Sequence, residues 1–166
     1  MYVDVSKWKY SVTGFACYIE LITNATGNPF IRVIPAMTYP AINYVTLQFC
    51  KFSGNAFLYD GFKDTTFNNT QYKLNNNLFT GIPKAHYEHV TVFNFAANLV
   101  NTENLDIWLS WLNVYFDNKT PLSSCTYTLN GVGMGIPTDG AANADLVAIK
   151  DHYTAAGKVA TFVINT

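Results

Sequence analysis

Between residues 41 and 166 the apolar side chains return at one uneven spacing. "AINYVTLQFCKFSG" puts Ile42, Val45, Leu47, Cys50 and Phe52 at the first, fourth, sixth, ninth and eleventh places of a pattern. "VTVFNFAANLV" repeats it with Val90, Phe93, Phe95, Asn98 and Val100, and "LSSCTYTLNGV" with Leu122, Cys125, Tyr127, Asn130 and Val132. "NTQYKLNNNLF" is a weaker copy, opening on a polar Asn69 and continuing through Tyr72, Leu74, Asn77 and Phe79. "VATFVIN" carries its first half as Val159, Phe162 and Ile164. Fourth and sixth positions lie two residues apart, so they share one face of a short strand. The ninth residue is Asn or Cys in each longer copy, which predicts an inward side chain bonded to the backbone of a neighbouring coil.

The copies begin at 42, 69, 90, 122 and 159, and the last two intervals are the longest because each holds a helix. "NTENLDIWLSWLNVYFDN" spaces Leu105, Trp108, Leu109, Leu112, Tyr115 and Phe116 at helical intervals, with Asn101 or Thr102 as N-cap. "NADLVAIKDHYTAAG" does the same with Leu146, Ile149 and Tyr153, between Asn143 and a C-terminal Gly157. Residues 90–164 therefore predict strand, helix, strand, helix, strand in parallel. The first forty residues read as strands, "FACYIELI" and "PFIRVIP", around a "TNATGN" loop. They are compatible with a hairpin or with the edge of a capping sheet.

The repeated spacing is the leucine-rich-repeat signature. From about residue 90 to 166 the chain resembles the C-terminal end of divergent leucine-rich-repeat arrays found in phage structural proteins and bacterial surface proteins. The order in "LNGVGMGIPTDGAANADLVAIKDHYTAAGKVATFVIN" carries the likeness: a strand ending in Asn, a Gly-rich loop with Pro, a helix, a Gly and a last short strand. Residues 42–79 share it more loosely, and Phe, Tyr and Val stand where Leu is usual. The resemblance implies an α/β fold, a short leucine-rich-repeat-like solenoid of parallel strands with two inserted helices, over residues 41–166. A small β-rich capping or attachment segment, 1–40, precedes it. Val90, Phe93, Phe95, Asn98, Cys125, Tyr127 and Asn130 are its expected structural positions.

Composition narrows the function. Only 13 % of the residues are charged and the formal net charge is −1, so no basic stripe exists to neutralise phosphates and nucleic acid is not expected as a partner. Cys17, Cys50 and Cys125 are odd in number and far apart, which predicts reduced thiols. "MYVDVSKWKYS" lacks an apolar core, so no secretory signal is expected, and no apolar run is long enough to span a membrane. Three N-x-T sequons, at Asn24, Asn68 and Asn118, are what an Asn-rich chain generates by chance.

Motifs with chemical potential are thin. "AHYEHV" places His86 and Glu88 on one strand face and His89 on the other, with no third ligand, so no metal is expected. "NGVGMGIPTDG" mimics a phosphate loop, but Pro137 and Asp139 intervene before the helix and no Lys-Ser/Thr pair follows, leaving a flexible connection. Asp60 and Asp64 lack the order of an EF-hand, and no G-x-S-x-G is present. Neither catalysis nor a cofactor is expected. Aromatic residues reach 16 %, and Tyr44, Tyr59, Asp60 and Tyr87 are the candidate contact residues, because Tyr beside Asn and Asp suits protein or glycan contacts.

The expectation is a non-enzymatic recognition or structural module in a virion fibre or spike, or in a bacterial surface or secreted protein. Its partners would be other subunits, a homotrimer among the expected assemblies, or a host-surface glycan or protein. The alternative is a carbohydrate-binding or carbohydrate-cleaving β domain.

Overall fold

The computed structural model describes residues 71–166 apart from 83, 85 and 86, together with the backbone of the short strands before them. Those strands are β1 (Tyr2–Asp4), β2 (Tyr18–Glu20), β3 (Thr26–Gly27), β4 (Phe30–Arg32), β5 (Tyr44–Thr46), β6 (Lys51–Asn55) and β7 (Phe57–Leu58). After them come β8 (Thr70–Lys73), β9 (Leu78–Gly81), β10 (Val90–Asn94), helix α1 (Thr102–Asp117), β11 (Cys125–Leu129), helix α2 (Ala144–Ala155) and β12 (Ala160–Ile164).

The chain is α/β, with a six-stranded sheet ordered β2, β5, β8, β10, β11, β12. Two three-stranded sheets, β1-β4-β7 and β3-β6-β9, accompany it. Every described pair is parallel, so each strand in chain order is laid beside its predecessor in that sheet. Parallel neighbours need a crossover. Helices α1 and α2 supply it for the last three strands of the large sheet, and strands of the small sheets lie within the earlier crossovers. A hairpin between "FACYIELI" and "PFIRVIP" does not form: β2 pairs with β5, while β4 pairs with β1 and β7. These pairings cross residue 40, so the N-terminal strands share sheets with those that follow.

Register sharpens the repeat. Val45 sits opposite Tyr72, Tyr72 opposite Phe93, Phe93 opposite Tyr127 and Tyr127 opposite Phe162. The copies at 42, 69 and 90 are therefore aligned as their spacing demands. The copy at 122 is not. Spacing matches Cys125 with Phe93 and Tyr127 with Phe95, whereas the sheet places Tyr127 beside Phe93 and Leu129 beside Ile164. The two ends of that sequence match, Leu122 and Val132, are exposed, and Asn130 is half-buried, which corrects Asn130 as an inward ninth position. A slip of two preserves the strand face, so Cys125, Tyr127 and Leu129 all point inward in either frame. The sheet also brings Ile19 beside Val45, extending the column to a strand the repeat spacing did not include.

Both helices follow from their sequences. Asn101 caps α1 by accepting the Asn104 N–H at 2.9 Å, and Asn143 caps α2 by accepting from Leu146 at 3.1 Å. Helix α2 stops in a Schellman turn: Gly157 adopts φ +67° and donates to Thr154 O, while Lys158 N–H reaches Tyr153 O. Leu105, Trp108, Leu109, Leu112 and Phe116 of α1 are buried, with Leu146, Ile149 and Tyr153 of α2. They close over the inward face of β8–β11, where Tyr72, Phe93, Phe95, Tyr127 and Leu129 are almost fully excluded from water.

The Gly-rich connection, expected to be flexible, is instead packed against the segment after β10. Gly135 N–H donates to Val100 O at 2.6 Å, and Gly133 has φ +88°. A Cβ on Gly133 would lie 2.3 Å from Asn98 O, and one on Gly135 would lie 2.3 Å from Thr102 N. Backbone thus meets backbone with no room for a methyl group. Gly133→Ala adds a clash to an unfavourable φ, so it should destabilise the fold by about 2–3 kcal/mol. The check is a urea titration in which the midpoint falls while the slope holds; an unchanged midpoint would refute the close packing.

Candidate functional site

The structure divides the sequence-derived candidates into buried and open groups. Asn98 is fully buried. Its Oδ1 accepts from Phe79 N–H at 3.2 Å, and its Nδ2 donates to Leu74 O at 3.0 Å and Phe95 O at 2.8 Å. The side chain thus ties its own strand end to the preceding one. Asn77 donates to Leu74 O in the same local manner. Between β11 and β12 the interstrand tie is made by Asn165, which accepts from Gly131 N–H and donates to Gly131 O and Met134 O.

Tyr87 is corrected as a contact residue. It is fully buried, with its ring centroid 5.3 Å from Phe93, 5.9 Å from Trp108 and 6.2 Å from Tyr127. It sits between the sheet and α1, a place that a loop-like "AHYEHV" context does not reveal. Tyr44 has its backbone in β5 opposite Gln71, and the side chain lies outside the described residues, as do Tyr59 and Asp60. Val90, Phe93, Phe95, Cys125 and Tyr127 are buried.

The buried groups are chemically quiet. Burial pushes the Cys125 thiol far above its ordinary range, with Tyr127 and the backbone of Phe93 opposing the shift, so the thiolate that a nucleophile needs is suppressed. Tyr127 and Tyr153 share a hydroxyl–hydroxyl bond of 2.7 Å, and burial raises both. Tyr115 OH donates to Glu88 Oε2 and accepts from Tyr87 N–H at 3.2 Å, while Lys119 Nζ lies 4.0 Å from Glu88 Oε1. Glu88 thereby fastens the turn before β10 to the end of α1. His89 carries two buried ring nitrogens without hydrogen-bond partners among the described residues, and His86 lies outside them. No group of three His, Cys, Asp or Glu side chains gathers as metal ligands among the described residues.

The open chemistry is on the outer face of the large sheet. Parallel sheets are normally covered on both faces. Here α1 and α2 cover the inner one, and the outer one carries half-buried or exposed side chains in rows across the strands. One row runs Lys73, Asn94, Thr128, Val163, and a second runs Val92, Thr126, Thr161. Strands spaced at about 4.8 Å present hydroxyls, an amide and methyl groups with one cation, Lys73. Such a face suits extended contact with a partner. Period-two alternation in β11 and β12 encodes it, but it becomes visible as a surface only once register aligns the rows.

Comparison of the chain with protein-family models, with curated proteins and with solved structures finds no match in any of the three.

Proposed function

We propose that the chain is a non-enzymatic structural and recognition module, a short leucine-rich-repeat-like solenoid that works inside a larger assembly. A phage fibre or spike, or a bacterial surface protein, is the setting that fits best. The state of the last strand carries this reading. Tyr72, Phe93 and Tyr127 occupy one column and are fully buried, yet the next member, Phe162, is only half-buried, as is Ile164. Phe162 stacks on Tyr127 with centroids 4.7 Å apart and planes 10° from parallel. Val159, just before β12, and Val163, within it, are exposed, and β12 itself contains no charge to discourage pairing. A half-buried core column beside an uncharged strand suits contact with another apolar layer, which this reading assigns to a second subunit.

The quiet thiol, the half-buried or exposed outer rows of the described strands and the sparse charge all support contact rather than catalysis. No described helix is long and apolar enough to cross a membrane. Light scattering on the purified chain tests the reading. An oligomer is expected, a trimer for a fibre, and Val163→Lys should shift it to the monomer mass with an unchanged circular dichroism spectrum. Monomeric wild-type protein across the accessible concentration range would overturn the assembly reading.

A further inference from the structure

Asn130–Gly131, just after β11, is the only Asn-Gly pair in the sequence. In such a pair the glycine nitrogen, with no Cβ beside it, can attack the carboxamide of the asparagine. A bond forms between Gly131 N and Asn130 Cγ, the Cγ–Nδ2 bond breaks, and ammonia leaves with the proton given up by the Gly131 amide. Water then opens the cyclic imide to aspartate, or to isoaspartate, whose main chain runs through the side chain. Water is the sole co-reactant.

The attack requires the peptide unit between the two residues to turn and its N–H to ionise. Here that unit is held on both sides. Asn130 O accepts from Ala97 N–H at 2.9 Å, so the segment after β10 fixes one edge. Gly131 N–H donates to Asn165 Oδ1 at 2.9 Å, so the residue after β12 fixes the other. Asn165 Nδ2 in turn donates to Gly131 O at 3.1 Å and to Met134 O at 2.7 Å, which keeps its oxygen aimed at the Gly131 nitrogen. Asn130 and Gly131 are only half-buried, so burial alone does not seal the pair from hydroxide. We propose that Asn130–Gly131 is a spontaneous deamidation site that Asn165 holds closed. Conversion to isoaspartate lengthens the main chain between Leu129 and Gly131, so Ala97 N–H and Asn165 cannot both keep their partners. The join between β11 and β12 then loosens. The site thereby couples the chemical age of the chain to the docking of its last strand.

The test incubates the full chain in mildly alkaline buffer, folded and in urea, beside the variants Asn165→Ala and Asn165→Asp. Mass spectrometry follows the peptide that contains residue 130, and enzymatic methylation counts its isoaspartate. The chain in urea should convert fastest and the folded wild type slowest. Asn165→Ala should convert at least about tenfold faster than the folded wild type, the worth of one hydrogen bond. Asn165→Asp should fall between them, because its carboxylate still accepts from Gly131 N–H and opposes ionisation there. Hydrogen exchange at Gly131 should rise in the same order while the Phe93 amide is unchanged, which separates local release from general unfolding. If Asn165→Ala fails to fold, Asn165→Asp and the comparison with urea still decide. Equal conversion of the wild type folded and in urea, or variants no faster than the wild type, would overturn the proposal.

Discussion

Replacing Asn98 by leucine should lower the stability of the chain by roughly 3–5 kcal/mol. Leucine matches the shape of asparagine but offers no polar atom. The Phe79 N–H and the carbonyls of Leu74 and Phe95 then lose the partners that Asn98 provides, in a place closed to water. Each orphaned group costs about 1–3 kcal/mol, and local relaxation recovers part of the sum. In a chain of this size the melting temperature should fall by about 10 °C. Asn98→Asp should be at least as damaging, because it removes two donated bonds and buries a charge. A melting temperature within about 2 °C of wild type for Asn98→Leu would show that the interstrand tie carries no weight.

Asn98 is legible in the sequence because the constraints on it are short in range. Its spacing from Phe93 and Phe95 is enforced by the strand period and by the turn that follows, and both are local. The helix caps at Asn101 and Asn143 are legible for the same reason, since a cap bonds a backbone N–H three residues away. Where the information is not local, the sequence is ambiguous. Cys125, Tyr127 and Leu129 all face inward, and a spacing rule accepts either neighbouring pair of them as its fourth and sixth positions. Strand pairing decides in favour of Tyr127 and Leu129, with the exposed Leu122 and Val132 as the visible consequence. Strands of two residues, such as β3 and β7, are too short to show a period at all.

The candidate sites divide along the same line. Tyr87 resembles a loop aromatic because its neighbours in the chain are polar, yet the ring is held by Phe93, Trp108 and Tyr127 from three other places. The outer rows of the sheet depend on residues far apart in the chain, such as Asn94 beside Thr128, and have no motif. The half-buried Phe162 is the same kind of feature: its sequence context is that of any core strand, and only strand register places it in the column of buried rings beside Tyr127.

The same rings predict how the fold fails in alkali, the steepest response expected of it. Tyr72, Tyr87, Tyr127 and Tyr153 are excluded from water, and burial is the main cause that raises each above the ordinary phenol range. In the unfolded chain these hydroxyls ionise near pH 10. Below that value both states keep their protons and stability does not depend on them. Above it the unfolded chain releases protons that the folded chain retains, so stability falls by about 1.4 kcal/mol per pH unit for each tyrosine. Four together give a slope of about 5.5 kcal/mol per unit, and a domain of ordinary stability, about 5–15 kcal/mol, should unfold between roughly pH 11 and 13. Circular dichroism and phenolate absorbance should change together in one cooperative step, and Tyr72→Phe should lower the slope by about 1.4 kcal/mol per unit. Gradual ionisation of all the tyrosines near pH 10 with the circular dichroism intact would mean that water reaches the rings, and the closed aromatic core described for β8 to β11 would have to be abandoned.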